Sequence, residues 1–140
     1  VGVRRRGREL ALQLLYQREL AGGEVDALAA SSSDLQEVPP AAREFASTLL
    51  RGVIAHLAEI DRELTGQADN WRLERMAAVD RNILRLAMFE LLHEPDTPVS
   101  VVIDEAIELA KRYGSERSSQ FVNGVLDAFA QRVRATAEAR

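Results

Sequence analysis

Between Phe45 and Leu64 the apolar residues Phe45, Leu49, Val53, Leu57, Ile60 and Leu64 recur at spacings of four and three, while Arg51, Glu59 and Arg62 fall off that stripe. A stripe of this period is buried along one side of an α-helix, because residues on a strand alternate faces instead. The spacing predicts one long amphipathic helix ending near Gly66. One such helix cannot cover its own apolar face, so the chain must supply others to pack against it.

It does so on both sides. Leu10, Leu14 and Leu15, with Ala11 beside them, predict a first helix that stops at Gly22 and Gly23, where the permissive backbone favours termination. A short, weak helix is expected around Val25 to Ala30, then a serine-rich loop from Ser31 to Pro40 whose two prolines can start the next helix. Asp69 to Met76 reads as a turn or short helix carrying the only tryptophan, Trp71. Ile83, Leu84, Ala87, Met88, Leu91 and Leu92 form a face broad enough to be buried on much of its circumference, and that helix stops before Pro95. Pro98 opens another through Ile103, Ala106, Ile107 and Ala110, with Gly114 in the place of a C′ glycine. Val99 to Ile103 is β-branched, but the helical period continues through it and decides against a strand. The last helix begins near Ser118 and buries Val122, Val125, Leu126, Phe129 and Val133 before an alanine-rich, charged tail. The fold class is all-α.

At 140 residues, 46% hydrophobic and 29% charged, the chain has the size and balance of one domain with one core. The absence of cysteine excludes a disulfide framework and a thiolate zinc site, and fits a reducing compartment. No apolar run approaches the roughly 20 residues of a membrane span, and no signal-peptide core follows the arginine-rich start, so a cytoplasmic location without membrane contact is expected.

A formal charge of −4 argues against a protein that coats nucleic acid through a generally basic surface. Its distribution says something different. Val1 to Arg18 holds Arg4, Arg5, Arg6, Arg8 and Arg18 against Glu9 alone, a local +4 that leaves −8 on the remainder.

Little in the chain suits catalysis. Glu90-Leu91-Leu92-His93 puts a carboxylate and an imidazole on one helix face, as in half of a di-iron site. A complete site needs a second such motif, and the only other histidine, His56, has Val53 three positions before it. His93 is therefore expected to be a helix-end histidine interacting with the dipole, and no metal or cofactor is expected. Asp104, Glu105 and Glu108 have no nucleophile, phosphate loop or metal partner near them in sequence; they read as a solvated face in which Glu108 pairs with Lys111 or Arg112. Without a GxxxxGK, GxSxG or HExxH pattern, an enzyme is the least supported class.

Two features ask for more than a fold. Arg4-Arg5-Arg6-Gly7-Arg8 gathers four guanidinium groups just ahead of the first apolar stripe, and reads either as a flexible arm of about residues 1–8 that contacts phosphates and bases or as a solubilising tail. Asn123-Gly124 interrupts an otherwise good helical run, for which close approach by a neighbouring helix is the expected reason. Phe121 beside it sits partly off the buried stripe, and packs in the core or stacks on an unpaired base.

These segments resemble the NusB family. Arg4-Arg5-Arg6-Gly7-Arg8-Glu9-Leu10-Ala11-Leu12-Gln13-Leu14-Leu15-Tyr16 is similar to the family's opening, and Val79-Asp80-Arg81-Asn82-Ile83-Leu84-Arg85-Leu86 with Phe89-Glu90-Leu91 to its central helix. Ile103-Asp104-Glu105-Ala106-Ile107-Glu108-Leu109-Ala110-Lys111 and Phe121-Val122-Asn123-Gly124-Val125-Leu126-Asp127 resemble its C-terminal signature, and the matches run in order over nearly the whole chain.

The resemblance implies about seven helices in two packed bundles, forming a single RNA-binding domain over 1–140. It further implies a transcription antitermination factor that pairs with NusE, a ribosomal small-subunit protein. The heterodimer binds boxA RNA in ribosomal RNA leaders and assembles with other Nus factors on RNA polymerase. By position, Arg4, Arg5, Arg6, Arg8, Gln120 and Phe121 match RNA-contacting segments, and Tyr16 and Asp80 lie near the NusE-facing surface. Where family members often carry acidic and basic residues before Phe-Val-Asn-Gly, this chain has Arg117, which adds a phosphate contact, and Gln120, which removes a charge. A protein-only helical scaffold is the rival reading, and a homodimer that hides the RNA surface is a further state. A NusB-like domain fused to a ribosomal RNA cytosine methyltransferase would need a cofactor domain with catalytic cysteines, and this sequence has no cysteine.

Overall fold

The structure, a computed structural model, describes residues 2–21, 38–67 and 73–138. Among these residues there are six α-helices and no strand: α1 (Val3–Ala21), α2 (Pro40–Ala55), α3 (Leu57–Gln67), α4 (Ala78–His93), α5 (Val99–Tyr113) and α6 (Ser118–Glu138), with a 3-10 turn at Leu73–Arg75 before α4. The expected helix at Val25 to Ala30, the glycine stop at Gly22 and Gly23, most of the serine-rich loop and Trp71 lie outside the described residues.

Helix α4 is the hub. Ile83, Leu84, Leu86, Ala87, Met88, Phe89 and Leu91 are all buried, so apolar side chains leave it on most sides and every one of them needs a neighbour. Helices α1 and α2 pack on each other and on α4, α5 and α6 pack on each other and on α4, and α3 reaches both α4 and α6. Two helical groups thus share one central helix, and Leu10, Leu14, Leu49, Leu50, Ile60, Leu64, Leu126 and Phe129 complete the core between them.

The stripe from Phe45 to Leu64 belongs to two helices, not one. His56 separates them with φ −110° and ψ 19°, its N–H donating to the Gly52 carbonyl and its own carbonyl accepting from Ile60 N–H at 2.9 Å. The apolar period survives because the backbone hydrogen bonds continue on either side. The bend leaves α2 on α1 while α3 lies against α4 and α6. Next to the bend, a Cβ on Gly52 would overlap the Phe89 ring, so the glycine is the seat of that ring.

The arginine segment, expected as an arm of about residues 1–8, is part of a helix: α1 runs from Val3, with Gly2 O accepting from Arg6 N–H at 3.2 Å. Arginines at a helix N-terminus oppose the dipole, so this turn must be held by tertiary contacts. It is. A Cβ on Gly7 would meet Phe45 Cδ2 at 2.7 Å and the Ala42 carbonyl at 3.1 Å, so α1 lies directly on α2 there. Gly114 differs from its expected role as well: it follows α5 with φ −93° and ψ −171°, an extended backbone, and what it provides is room for Ser118, whose Oγ would be 2.5 Å from a Cβ.

Candidate nucleic-acid and partner interface

The four N-terminal arginines have different fates on α1. Arg4 and Arg5 are exposed and Arg6 is half-buried. The Arg4 guanidinium lies 4.9 Å from the centre of the Phe45 ring, a cation–π contact that holds it along the surface. Arg5 Nε and Nη2 donate to Glu105 at 3.1 and 3.2 Å, and that carboxylate raises the Arg5 pKa, chiefly through the hydrogen bond. Arg8 turns inward. Its Nε and Nη2 donate to the two oxygens of Glu90 at 2.9 and 2.8 Å, with side chains only 5% and 3% exposed. Arg8, expected from the sequence as an RNA contact, is thus held by Glu90 in a buried, bidentate ion pair.

Between this first turn of α1 and the α4–α5 connection lies an open cleft of about 690 Å³. Arg4, Arg5 and Arg8 line it together with Glu94, Asp96 and Glu105, and Thr97, Pro98 and Val101 complete the lining. The cleft is therefore of mixed sign, and its exposed cations are Arg4 and Arg5.

Helix α1 continues alongside α5 through polar contacts. Buried Glu9 accepts from Tyr113 Oη at 2.9 Å and from Arg112 Nη1 at 2.7 Å. Burial, followed by the bond to Glu9, pushes the Tyr113 phenol pKa up. Immediately after Tyr113, Ser118 Oγ accepts from Ser115 N–H at 2.9 Å and opens α6. On that first stretch Arg117 and Gln120 are exposed, and Phe121 is half-buried against the core. Asn123 and Gly124 are exposed, and among the described residues nothing lies within 4 Å of a Cβ built on Gly124. The expected close approach of a neighbouring helix at Gly124 is thus overturned; the glycine leaves a bare backbone patch on the surface beside Gln120.

A second surface lies at the other end of α1. Tyr16 is 36% exposed and Leu20, four residues on and on the same face, is 67% exposed. Beside them Glu19 accepts from Arg81 Nε at 2.7 Å, Asn82 Nδ2 at 3.3 Å and Arg85 Nη1 at 3.4 Å, and Arg85 forks onto Asp61 at 2.8 and 2.9 Å. The Arg81 hydrogen bond, against some opposing burial, holds the Glu19 carboxyl below the usual carboxylate range. Asp80 stands in the first turn of α4, next to this network, with Oδ1 buried and lacking a hydrogen-bond partner among the described residues. Tyr16 and Asp80, singled out from the sequence, are brought to the same end of the α1–α4 pair. Leu20 was missed, although its spacing from Tyr16 was the available signal.

The Glu90-x-x-His93 motif is split by its surroundings. Glu90 faces Arg8, whereas His93 Nε2 lies 2.7 Å from Glu59 Oε1 and its ring stacks on His56 with centroids 3.9 Å apart. His93 sits in the last turn of α4 as expected, but side chains, and not the dipole alone, engage it. Among the described residues no helix is long and apolar enough to cross a membrane.

Comparison with known proteins agrees with this arrangement. The sequence profile of the NusB family matches residues 5–131. The transcription antitermination protein NusB of Geobacter sulfurreducens is 52% identical over 131 residues, spanning 93% of this chain and 95% of that protein. The crystal form of T. maritima NusB superposes with a TM-score of 0.84 at 42% identity, covering 91% of this chain and 90% of the other. A chain from a crystal structure of the antitermination factors NusB and NusE in complex with dsRNA gives 0.84 at 28% identity, covering 92% and 96%. A profile match over nearly the whole chain, a relative identical at half its positions and a shared helical arrangement lead to one conclusion: the chain belongs to the NusB family of transcription antitermination proteins.

Proposed function

We propose that this chain acts as one RNA-binding domain and as a non-catalytic antitermination adaptor in the cytoplasm. It pairs with NusE, binds boxA-type RNA of ribosomal RNA leaders as that heterodimer, and joins other Nus factors on RNA polymerase. The observation that carries this reading is the likeness, over nearly the full length of both chains, to the protein solved together with NusE and dsRNA.

The geometry supplies a physical route. Arg4, Arg5 and Arg6 stand at the N-terminus of α1, where the positive end of the helix dipole adds to their pull on phosphate. Arg117, Gln120 and half-buried Phe121 at the start of α6 add a cation, an amide and a ring edge for an unpaired base, and bare Gly124 lets a backbone approach closely. Tyr16, Leu20 and Asp80 form the protein-facing surface, an exposed apolar pair beside an acidic group. A body with a formal charge of −4 attracts RNA weakly by itself, and a cationic ribosomal protein supplies the missing phosphate neutralisation.

One observation favours a protein-only scaffold as the second reading: Arg5 and Arg8 already have carboxylate partners within the chain. Fluorescence anisotropy with a boxA-like RNA, with and without NusE across a salt series, separates the two. RNA-adaptor function requires tighter binding with NusE than without it, and weaker binding on Phe121→Ala or Arg4→Ala in folded protein. Equal affinity with and without NusE removes the cooperative reading. Absence of RNA crosslinks at Phe121 and at the α1 arginines leaves the scaffold. Sedimentation of the chain alone reports a homodimer that hides these surfaces.

A further inference from the structure

We propose that His56, Glu59 and His93 form a binding site for a divalent transition-metal ion of the zinc class, which ties the α2–α3 joint to the end of α4. The sequence does not show the pairing: His56 and His93 are 37 positions apart, and the carboxylate three residues before His93 is Glu90, which the fold gives to Arg8. Folding brings them together. One ligand atom from each of His56, Glu59 and His93 lies within 4.8 Å of the others, and His93 Nε2 is already 2.7 Å from Glu59 Oε1.

The donor set is two imidazoles and one carboxylate, which is a borderline-soft set that suits zinc, nickel or cobalt and leaves a fourth position for water. Magnesium and calcium, which take oxygen ligands, are poorly served by it. The backbone favours a cation here. His93 is the last residue of α4, whose C-terminal dipole end favours a cation, while His56 lies at the joint where α2 ends and α3 begins. Phe89, 6.1 Å from the His56 ring and 5.4 Å from that of His93, walls one side with an apolar ring seated on Gly52. Both histidines are half-buried and the Glu59 side chain is 46% exposed, so the site has shelter and remains open to solvent.

Binding requires a small rearrangement. The imidazoles are stacked at an interplanar angle of 23°, whereas two nitrogens can share an ion only if each ring plane points at it. Ligand atoms around a tetrahedral zinc stand about 3.3 Å apart, from bond lengths near 2.0–2.1 Å, so one ring turns out of the stack and Glu59 moves from hydrogen-bond to ligand distance. The cost is the loss of the ring stack between the two half-buried histidines beside Phe89.

Untagged full-length chain, dialysed against chelator, is titrated with Co(II) by absorption spectroscopy and with Zn(II) by calorimetry at pH 7.5. The expected result is one ion per chain, bound at about 10 μM or tighter, with visible bands of a four-coordinate Co(II) centre and a raised Tm. His93→Ala and His56→Ala, each verified as folded by circular dichroism, should weaken binding by about tenfold or more, and Glu59→Gln by several-fold. Glu59→Gln changes no histidine and serves as the fold-neutral variant. No binding to the native chain, unchanged stoichiometry and affinity in the folded variants, or octahedral Co(II) bands typical of solvated cobalt would each overturn the site. The readout uses neither RNA nor NusE, so its outcome is independent of the proposed function.

Discussion

Arg8 is the residue whose two possible roles make opposite predictions. Its guanidinium and the Glu90 carboxylate form a forked pair at 2.8 and 2.9 Å, 82 residues apart in sequence and almost out of contact with water. Truncating either partner strands the other charge in the core, which costs about 3–5 kcal/mol. For a chain of this size that corresponds to a fall in Tm of roughly 10–20 °C, at about 4 °C per kcal/mol. Arg8→Met also gives up a cation–π contact 5.4 Å from the Phe45 ring, worth up to about 1 kcal/mol. Replacing both partners, as in Arg8→Met with Glu90→Leu, removes both desolvated charges and refills the space, so the double variant should return to within about 1–2 kcal/mol of the native chain or exceed it.

Urea unfolding of the native chain, the two single variants and the double variant closes a double-mutant cycle. The RNA half of the experiment uses the double variant, which is folded. Each phosphate contact to a single strand contributes about 0.7 to the slope of log K against log salt. If Arg8 is committed to Glu90, the double variant keeps the native slope when assayed with NusE, while Arg4→Ala lowers it by that amount. A single variant that costs under about 1 kcal/mol, or a double variant as unstable as the sum of the singles, would refute the buried-pair account. A slope lowered in the double variant would return Arg8 to the RNA surface.

Three further outcomes are expected. Gly124→Ala fills open space on the outside of α6, so helix propensity should raise stability by about 0.5–1 kcal/mol in thermal or urea unfolding; destabilisation would mean that a neighbour occupies that space. Gly52→Ala should do the reverse by about 1–3 kcal/mol, since its Cβ would overlap the Phe89 ring, and Phe89→Leu in the same chain should recover part of the loss. The Glu19 carboxyl is held below its ordinary value of 4.5 by Arg81, so it stabilises the fold above that pH and ceases to do so as the pH falls through the lower, folded-state value. Glu19→Gln should therefore be less stable at pH 7 by no more than about 1 kcal/mol for so exposed a group, with the gap closing in acid; a gap independent of pH would assign the effect to hydrogen-bond shape and not charge.

Periodicity made most of the helices readable, because a buried stripe requires the same local spacing wherever its partners come from. Three features escaped it. The break at His56 preserves the apolar period across the joint, so the pattern Phe45 to Leu64 looks continuous while the chain bends. Gly7 and Gly124 give the same local signal, a glycine within a helix, yet one lies under Phe45 of α2 and the other faces open space. Only the partner helix distinguishes them. The pairings of Arg8 with Glu90 and of His93 with Glu59 and His56 are long-range contacts, and the i, i+3 spacing of Glu90 and His93 suggested a joint site where the fold sends the two side chains to different partners.

The same long-range pairing alters what the charge count means. A local +4 at the start of the chain describes a strongly basic end, but a charge attracts phosphate from outside only to the extent that nothing inside already answers it. Glu105 answers Arg5 at the surface, and Glu90 answers Arg8 in the core. The surface pair still has water on its open side, where exchange of one oxyanion for another costs little; the core pair does not. Glu94 and Asp96 line the same cleft as the exposed arginines, so on the proposed function an RNA strand there meets carboxylates as well as guanidinium groups. Such a cleft discriminates by placement more than by attraction. On the proposed function, net attraction has to come from a cationic partner, and Tyr16 and Leu20 at the far end of α1, with Asp80 at the start of α4, would receive it without covering the arginines.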